Sequence, residues 1–332
     1  MLDARKAAIL CAVVRDHIET GQPVGSIRVA RAHLSNVSPA TVRNEMFVLE
    51  REGYLHQPHT SAGRVPTEKG YRYFVDQISQ VDALPALQRQ QVKEFFARAH
   101  GELEHMLHDT SQLLSNLTDC AGVVVGPPHD RGLVRSVQLV ELNDRLALAV
   151  VVFSNAVVEK HTIEIGADQD ASGLAAASAH LSRHLSGRSL ARVGAVPDTG
   201  DPSVDAVASA VSSWLRRKHD DDLDTIFVRG ASRVAQAFEA VDTVRQVLAA
   251  LEQQYLIVGL LRQALDRPLS VSIGSELGVA PLAECSLVVA PYRVAGEALG
   301  TIGVLGPTRM DYPNAMAAVD LVSQRLGRVL DN

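Results

Sequence analysis

Residues 38–44 read "SPATVRN" and hold two hydroxyls, a guanidinium and a carboxamide within two helical turns. Side chains of these types suit hydrogen bonding to the base edges and phosphates of a nucleic acid. Asn44 can engage both edge atoms of an adenine, Arg43 can fork onto guanine or clamp a phosphate, and Ser38 and Thr41 are shorter donors beside them. A second group follows in "HQPHTSAGRVPTEKGYRYF", residues 56–74. Here Gln57, His59, Thr60, Ser61 and Arg64 offer donors to phosphates or the minor groove, and Lys69 and Arg72 can anchor the backbone at the next helix start. Singly, each is an ordinary solvated side chain; grouped on two elements presented to one duplex, they make an interface.

Other chemistry has less material. No GxxxxGK[ST], GxSxG or HExxH pattern occurs, and "GEALGTIGVLG" alternates like a buried strand with glycine at close approaches. His180 and His184 in "HLSRH", and the pair His105 and His108, have helical spacings that can chelate a metal, but no third ligand lies near. No catalytic, cofactor or metal site is assigned.

The elements that must position these groups are legible from periodicity. Leu10, Val13, Val14 and Ile18 mark one face of a first helix that stops at Gly21 and Pro23. Ser26 is placed as the cap of a short second helix, with Ile27, Val29 or Ala30 and Leu34 inward. Ser38 with Pro39 behind it starts a third helix, whose inward stripe is Val42, Met46 and Leu49, leaving Thr41, Arg43, Asn44, Phe47 and Arg51 on other faces. Two short helices joined by a tight turn are a helix-turn-helix. "GYLHQP", a turn at "HTSAGR" with Gly63 at positive φ, and "RVPT" then give a β-hairpin wing, after which Thr67 caps the next helix. Tyr54, Tyr71, Tyr73 and Phe74 close its small core.

Downstream, Val92, Phe96, Ala99, Leu103, Met106, Thr110, Leu113 and Leu117 form a heptad-type seam. It reads as one long helix, either a coiled coil or the buried first helix of the following domain. Residues 120–165 read as a four-stranded meander in which strand 146–153 is central, and 167–222 as a helical stretch with Val204, Val207, Val211 and Trp214 on one face. Strand patterns return after it, and a helix from Asp311 carries Met316, Val319, Val322, Leu326 and Val329.

The 332 residues allow two or three domains. With 46% hydrophobic and 21% charged residues the chain is not disordered, and its longest apolar run is too short to span a bilayer. Three scattered cysteines and the lack of a charged, then apolar, opening segment point to the cytoplasm. Net charge is −6, but residues 1–76 carry ten Lys or Arg against eight Asp or Glu. Any polyanion is therefore bound by the N-terminal quarter.

"IETGQPVGS", "NVSPATVRNEM", "LEREGYLHQPHTSAGRVPTEKGYRYFVD" and, far downstream, "GTIGVLGPTRMDYP" together resemble the heat-inducible transcription repressor family HrcA. The resemblance implies an α+β multidomain chain: a winged helix-turn-helix at 1–76, a long linking helix at 77–118, a GAF-like domain at 119–166 and 223–332, and an inserted, mainly helical dimerisation segment at 167–222. It implies a dimeric repressor on an inverted-repeat operator in double-stranded DNA upstream of chaperone genes, held binding-competent by the chaperonin GroEL. The motif residues carried over are 38–46 and 59–64; where the family reads Ser-Arg-Thr, this chain has Ser26-Ile27-Arg28. A repressor switched by a small molecule in the GAF-like domain is the alternative, and an enzyme with a DNA-binding arm is a more distant one.

Overall fold

The computed structural model describes residues 2–34, 36–59, 62–78, 83–98, 102–127, 133–154, 157–166, 170–189, 196–220, 226–238, 240–262 and 267–331, the side chains of 218–220, 254, 255 and 262 excepted. The chain is α+β and divides into two compact units. One comprises Met1–His100, Met106–Val124 and Ile226–Asn332; the other comprises Gly101–His105 and Val125–Thr225. Among the described residues, no helix is long and apolar enough to cross a membrane.

In the first unit, helix α1 (Ala4–Thr20) starts on Asp3, whose carboxylate accepts the Lys6 amide, and ends at Gly21 in the left-handed region with φ 66°. Helices α2 (Ser26–His33) and α3 (Pro39–Arg51) pack on α1 and on each other through Val29 and Ala30, and through Val42, Met46 and Leu49. Two expectations for α2 are corrected. Gly25 is its N-cap and no side chain caps it, because Ser26 is already helical and buried. Ser26, Val29 and Ala30 make the inward stripe at i, i+3, i+4, so Ile27, about 100° away around the helix, is 51% exposed.

Strands β1 (Leu55–His56) and β2 (Val65–Pro66) form an antiparallel ribbon. Val24 extends it, exchanging both backbone hydrogen bonds with Arg64 at 2.8 and 2.9 Å. Helix α4 (Glu68–Asp76) is capped by Thr67 and buries Tyr71, Phe74 and Val75. The expected long helix is two helices, α5 (Ala86–Arg98) and α6 (Leu103–Thr118), with Glu102 outside both. In α6 the buried residues are Leu107, Thr110, Ser111, Leu114, Ser115 and Leu117, so Met106 and Leu113 of the expected seam are not among them.

The chain continues as β3 (Ala121–Val125), β4 (Val134–Asn143), β5 (Leu146–Phe153), β6 (Val158–Glu164), α7 (Ala171–Leu185), α8 (Pro202–Asp220), β7 (Ile226–Arg229), α9 (Ala231–Gln236), α10 (Val241–Glu252), α11 (Gln254–Arg262), β8 (Ser270–Ile273), β9 (Cys285–Val294), β10 (Glu297–Pro307) and α12 (Tyr312–Asp331). A five-stranded sheet has the order β7-β3-β10-β9-β8, and α12 packs on β9 and β10. The glycines of β10 are contact positions: a Cβ on Gly303 would lie 2.6 Å from the Val288 carbonyl oxygen, and one on Gly306 2.5 Å from the Cys120 sulfur.

The second unit holds the antiparallel sheet β4-β5-β6, with β5 central as its sequence implies. Alternate residues of β5, Ala147, Ala149, Val151 and Phe153, share one core with Leu174, Ala177 and Leu181 of α7 and with Val204, Val207, Val211 and Trp214 of α8. The expected grouping of 119–166 with 223–332 is therefore corrected. Only β3 of the supposed meander enters the five-stranded sheet; β4 to β6 pair among themselves, and the apolar face they present is covered by the two helices that follow.

Candidate nucleic-acid interface

Ser38 is the N-cap of α3: its Oγ accepts the Thr41 amide at 3.1 Å and lies 2.9 Å from Thr41 Oγ1. Both hydroxyls thus help to start the helix. Opposite Val42, Met46 and Leu49, the exposed residues of α3 include Ala40, Arg43, Asn44, Phe47 and Arg51, at i, i+3, i+4, i+7 and i+11. This spacing puts them on one outward stripe. Arg43 and Asn44 form no side-chain hydrogen bond or ion pair among the described residues. Phe47, which the sequence reading leaves unused, is 59% exposed in the middle of that stripe. Its spacing of three from Asn44 was the available signal.

On the ribbon, the expected donors have different roles. His59 is exposed, while Gln57 Nε2 donates to the Ala62 carbonyl at 2.9 Å and braces the turn. Thr60 and Ser61 lie outside the described residues. Arg64 is corrected: its guanidinium turns onto Glu50 of α3 at 2.9 Å and is only 16% exposed, so it ties ribbon to helix. Gly63 is corrected too, since it is absent from the positive-φ glycines. It is glycine because a Cβ there would stand 2.4 Å from the Val24 carbonyl oxygen, closing off the bridge to Arg64.

The two cations of α4 are likewise engaged within the chain. Lys69 Nζ donates to the Glu52 carbonyl at 2.9 Å, the C-cap of α3, and sits 4.2 Å from the Tyr54 ring centroid. Arg72 donates through Nε to Glu276 Oε1 at 2.9 Å and through Nη2 to Glu276 Oε2 and to the Val271 carbonyl, the latter at 2.7 Å. Asp76 adds a weaker partner at 3.4 Å. Burial works against the charge on Glu276, and the hydrogen bonds from Arg72 and the Ile273 amide outweigh it, holding the carboxyl below its usual range. Next to this clamp, Glu68 accepts from the Ser275 amide at 3.2 Å and from its hydroxyl. Tyr71 is hydrogen-bonded to His17 Nδ1 at 2.7 Å and faces Tyr312 at 6.0 Å between ring centroids.

Lys6, Arg28, Arg64 and Arg72 are ion-paired, whereas Arg31, Arg43 and Arg51 on α2 and α3, and Arg5 and Arg15 on α1, have no ion pair among the described residues. Elsewhere, His180 Nε2 is hydrogen-bonded to the Pro197 carbonyl at 2.7 Å, and no group of three or more His, Cys, Asp or Glu that could hold a metal occurs among the described residues.

Comparison with known proteins gives the class. The chain is 39% identical over 344 aligned positions to the heat-inducible transcription repressor HrcA of Acidothermus cellulolyticus, covering 99% of each chain. It is 38% identical to the protein of the same description from Nocardia farcinica, covering 98% of this chain and 96% of that one. A solved structure, the crystal structure of a hypothetical protein at 2.2 Å resolution, superposes with a TM-score of 0.73 over 100% of this chain and 99% of its own, at 22% identity, and shows the same fold. The class is heat-inducible transcription repressors. The family described as HrcA protein C terminal domain matches residues 104–316, and the chain belongs to the HrcA family.

Proposed function

We propose that this repressor is a sequence-specific DNA-binding protein that grips an inverted-repeat operator of heat-shock genes as a homodimer. In this reading residues 1–76 are a winged helix-turn-helix, with α3 in the major groove and the β1–β2 ribbon along the adjacent backbone. Asn44 pairs with adenine, and Arg43 forks onto guanine or holds a phosphate. The observation that carries the reading is the outward stripe of α3: Arg43 and Asn44 stand without internal partners, while Arg64, Lys69 and Arg72 each bond to another part of the chain. The five-stranded sheet with α12 then corresponds to the GAF-like part, and the second unit to the dimerisation element. The chaperonin GroEL is the partner that the resemblance to the HrcA family implies, keeping the repressor competent until damaged proteins draw it away.

Electrophoretic shift of an inverted-repeat duplex tests the central claim. The full chain is expected to retard the repeat and not a scrambled duplex at physiological salt; equal affinity for both overturns sequence recognition. Asn44→Ala is expected to lose discrimination worth about 1–3 kcal/mol at one base pair per half-site. Sedimentation of the free chain as a monomer at micromolar concentration would remove the dimer from the proposal. A competent fraction that does not rise when GroEL is added removes the chaperonin.

A further inference from the structure

Phe47 is a large aromatic, 59% exposed, on a helix that buries Val42, Met46 and Leu49 and half-buries Val48. It makes no aromatic ring contact with another described residue. Its neighbours one turn away on the outward stripe are Arg43, Asn44 and Arg51, all exposed. The guanidiniums of Arg43 and Arg51, with no ion pair among the described residues, favour a partner that carries negative charge beside the ring. An apolar ring set between unpaired guanidiniums matches a target that is anionic at its edges and carries a small apolar group in its floor. The major groove is such a target: phosphates line it, and the thymine C5-methyl is the apolar group its base edges present.

Resting on the DNA-binding reading above, we infer that Phe47 is a specificity-determining residue that reads thymine through its C5-methyl, one or two base pairs from the base held by Asn44. The spacing fixes that offset. Ala40, Arg43, Asn44 and Phe47 fall at i, i+3, i+4 and i+7, the pattern by which homeodomain helices bring four side chains to the groove floor. Three residues of helix advance about 4.5 Å, against about 3.4 Å for one base-pair step. Ala40 contributes no side-chain reach, so the hydrogen-bonding pair and the ring divide the site between polar and apolar readout. A sequence read by α3 therefore has a methyl-dependent position beside its adenine-dependent one.

Selection of sites from a random duplex library by the full-length wild type, Asn44→Ala, Phe47→Ala and Phe47→Leu tests this. Wild type is expected to enrich a thymine next to an adenine in each half-site; Phe47→Ala is expected to lose the thymine and keep the adenine, and Asn44→Ala the reverse. On the selected duplex, replacing that thymidine by deoxyuridine removes only the methyl. It is expected to weaken wild type about fourfold per half-site, to weaken Phe47→Leu less, and to leave Phe47→Ala unchanged. Thermal melting of Phe47→Ala within a few degrees of wild type establishes that the variant folds. Retention of the same thymine by Phe47→Ala, or indifference of wild type to deoxyuridine at every position, overturns the assignment of Phe47 alone. A wild-type chain that enriches no sequence overturns the DNA-binding reading and this inference with it.

Discussion

Asp16 is the buried acid of α1, 2% exposed, and its two oxygens are held at 2.8 Å by Arg28 Nε and His33 Nε2. Those partners stand in the first and last turns of α2, so one carboxylate fixes the helix at both ends. Asp16→Ala is expected to cost about 2–3 kcal/mol, seen as a lower urea midpoint with an unchanged slope. Its neighbour His17 responds to pH. Burial, reinforced by the charges of Arg309 and His56, pushes His17 down to about 4, so the folded state holds it neutral where the unfolded chain is protonated. The unfolded chain binds the extra proton below about 6.5, and stability therefore falls as pH drops from there toward the folded value. His17→Gln is expected to flatten that fall, measured by urea unfolding at pH 7 and 5. At this scale the exposed positions of Arg43 and Asn44 were legible from spacing. The tasks of Arg64 and Arg72 were not, because Glu50 and Glu276 reach them only through the fold.

The helices and the ribbon were legible where local chemistry decides them. Ser38 and Thr67 cap α3 and α4 as their positions imply, each accepting an amide three residues on. Ser38→Ala is expected to cost about 1 kcal/mol by urea unfolding and to fray the end of α3 that carries Arg43 and Asn44. The ribbon turn shows where local reasoning runs out. A glycine in "HTSAGR" suggests a left-handed turn, yet Gly63 is required by the Val24 backbone lying against it from the start of α2. Gly63→Ala is expected to break the Val24–Arg64 pair, lowering hydrogen-exchange protection of those two amides while α3 keeps its own. The seam from Val92 to Leu117 misled for a related reason: a 3.5-residue period fits one helix or two in line, and the break at Glu102 leaves the pattern unchanged.

Over the whole molecule, residues 1–76 and the C-terminal sheet belong to one compact unit. Arg72 clamps Glu276 and the Val271 carbonyl, Glu68 holds Ser275, and Tyr71 meets Tyr312 of the "GPTRMDY" stretch. Two segments that stand out at opposite ends of the sequence are thus parts of one joint. Arg72→Ala and Glu276→Gln are each expected to lower the melting temperature, and the double variant by little more than either one, because they break the same contact. In DNA binding, Arg72→Ala is expected to leave the salt slope near that of wild type, whereas Arg43→Ala reduces it by about one if it holds a phosphate. Titration of binding against salt checks both.

The amino-acid sequence by itself determined the family, the helices and strands whose apolar period repeats every 3.6 or 2 residues, and the outward position of Arg43 and Asn44. Those properties depend on residue type and on spacing along the chain, which are local. Only the tertiary structure decided which cations stay without partners, why residue 63 is glycine, and that strands β4 to β6 leave the five-stranded sheet to build a unit with α7 and α8. Each of these is set by a partner distant in sequence, and burial and ion pairing act on proximity in space.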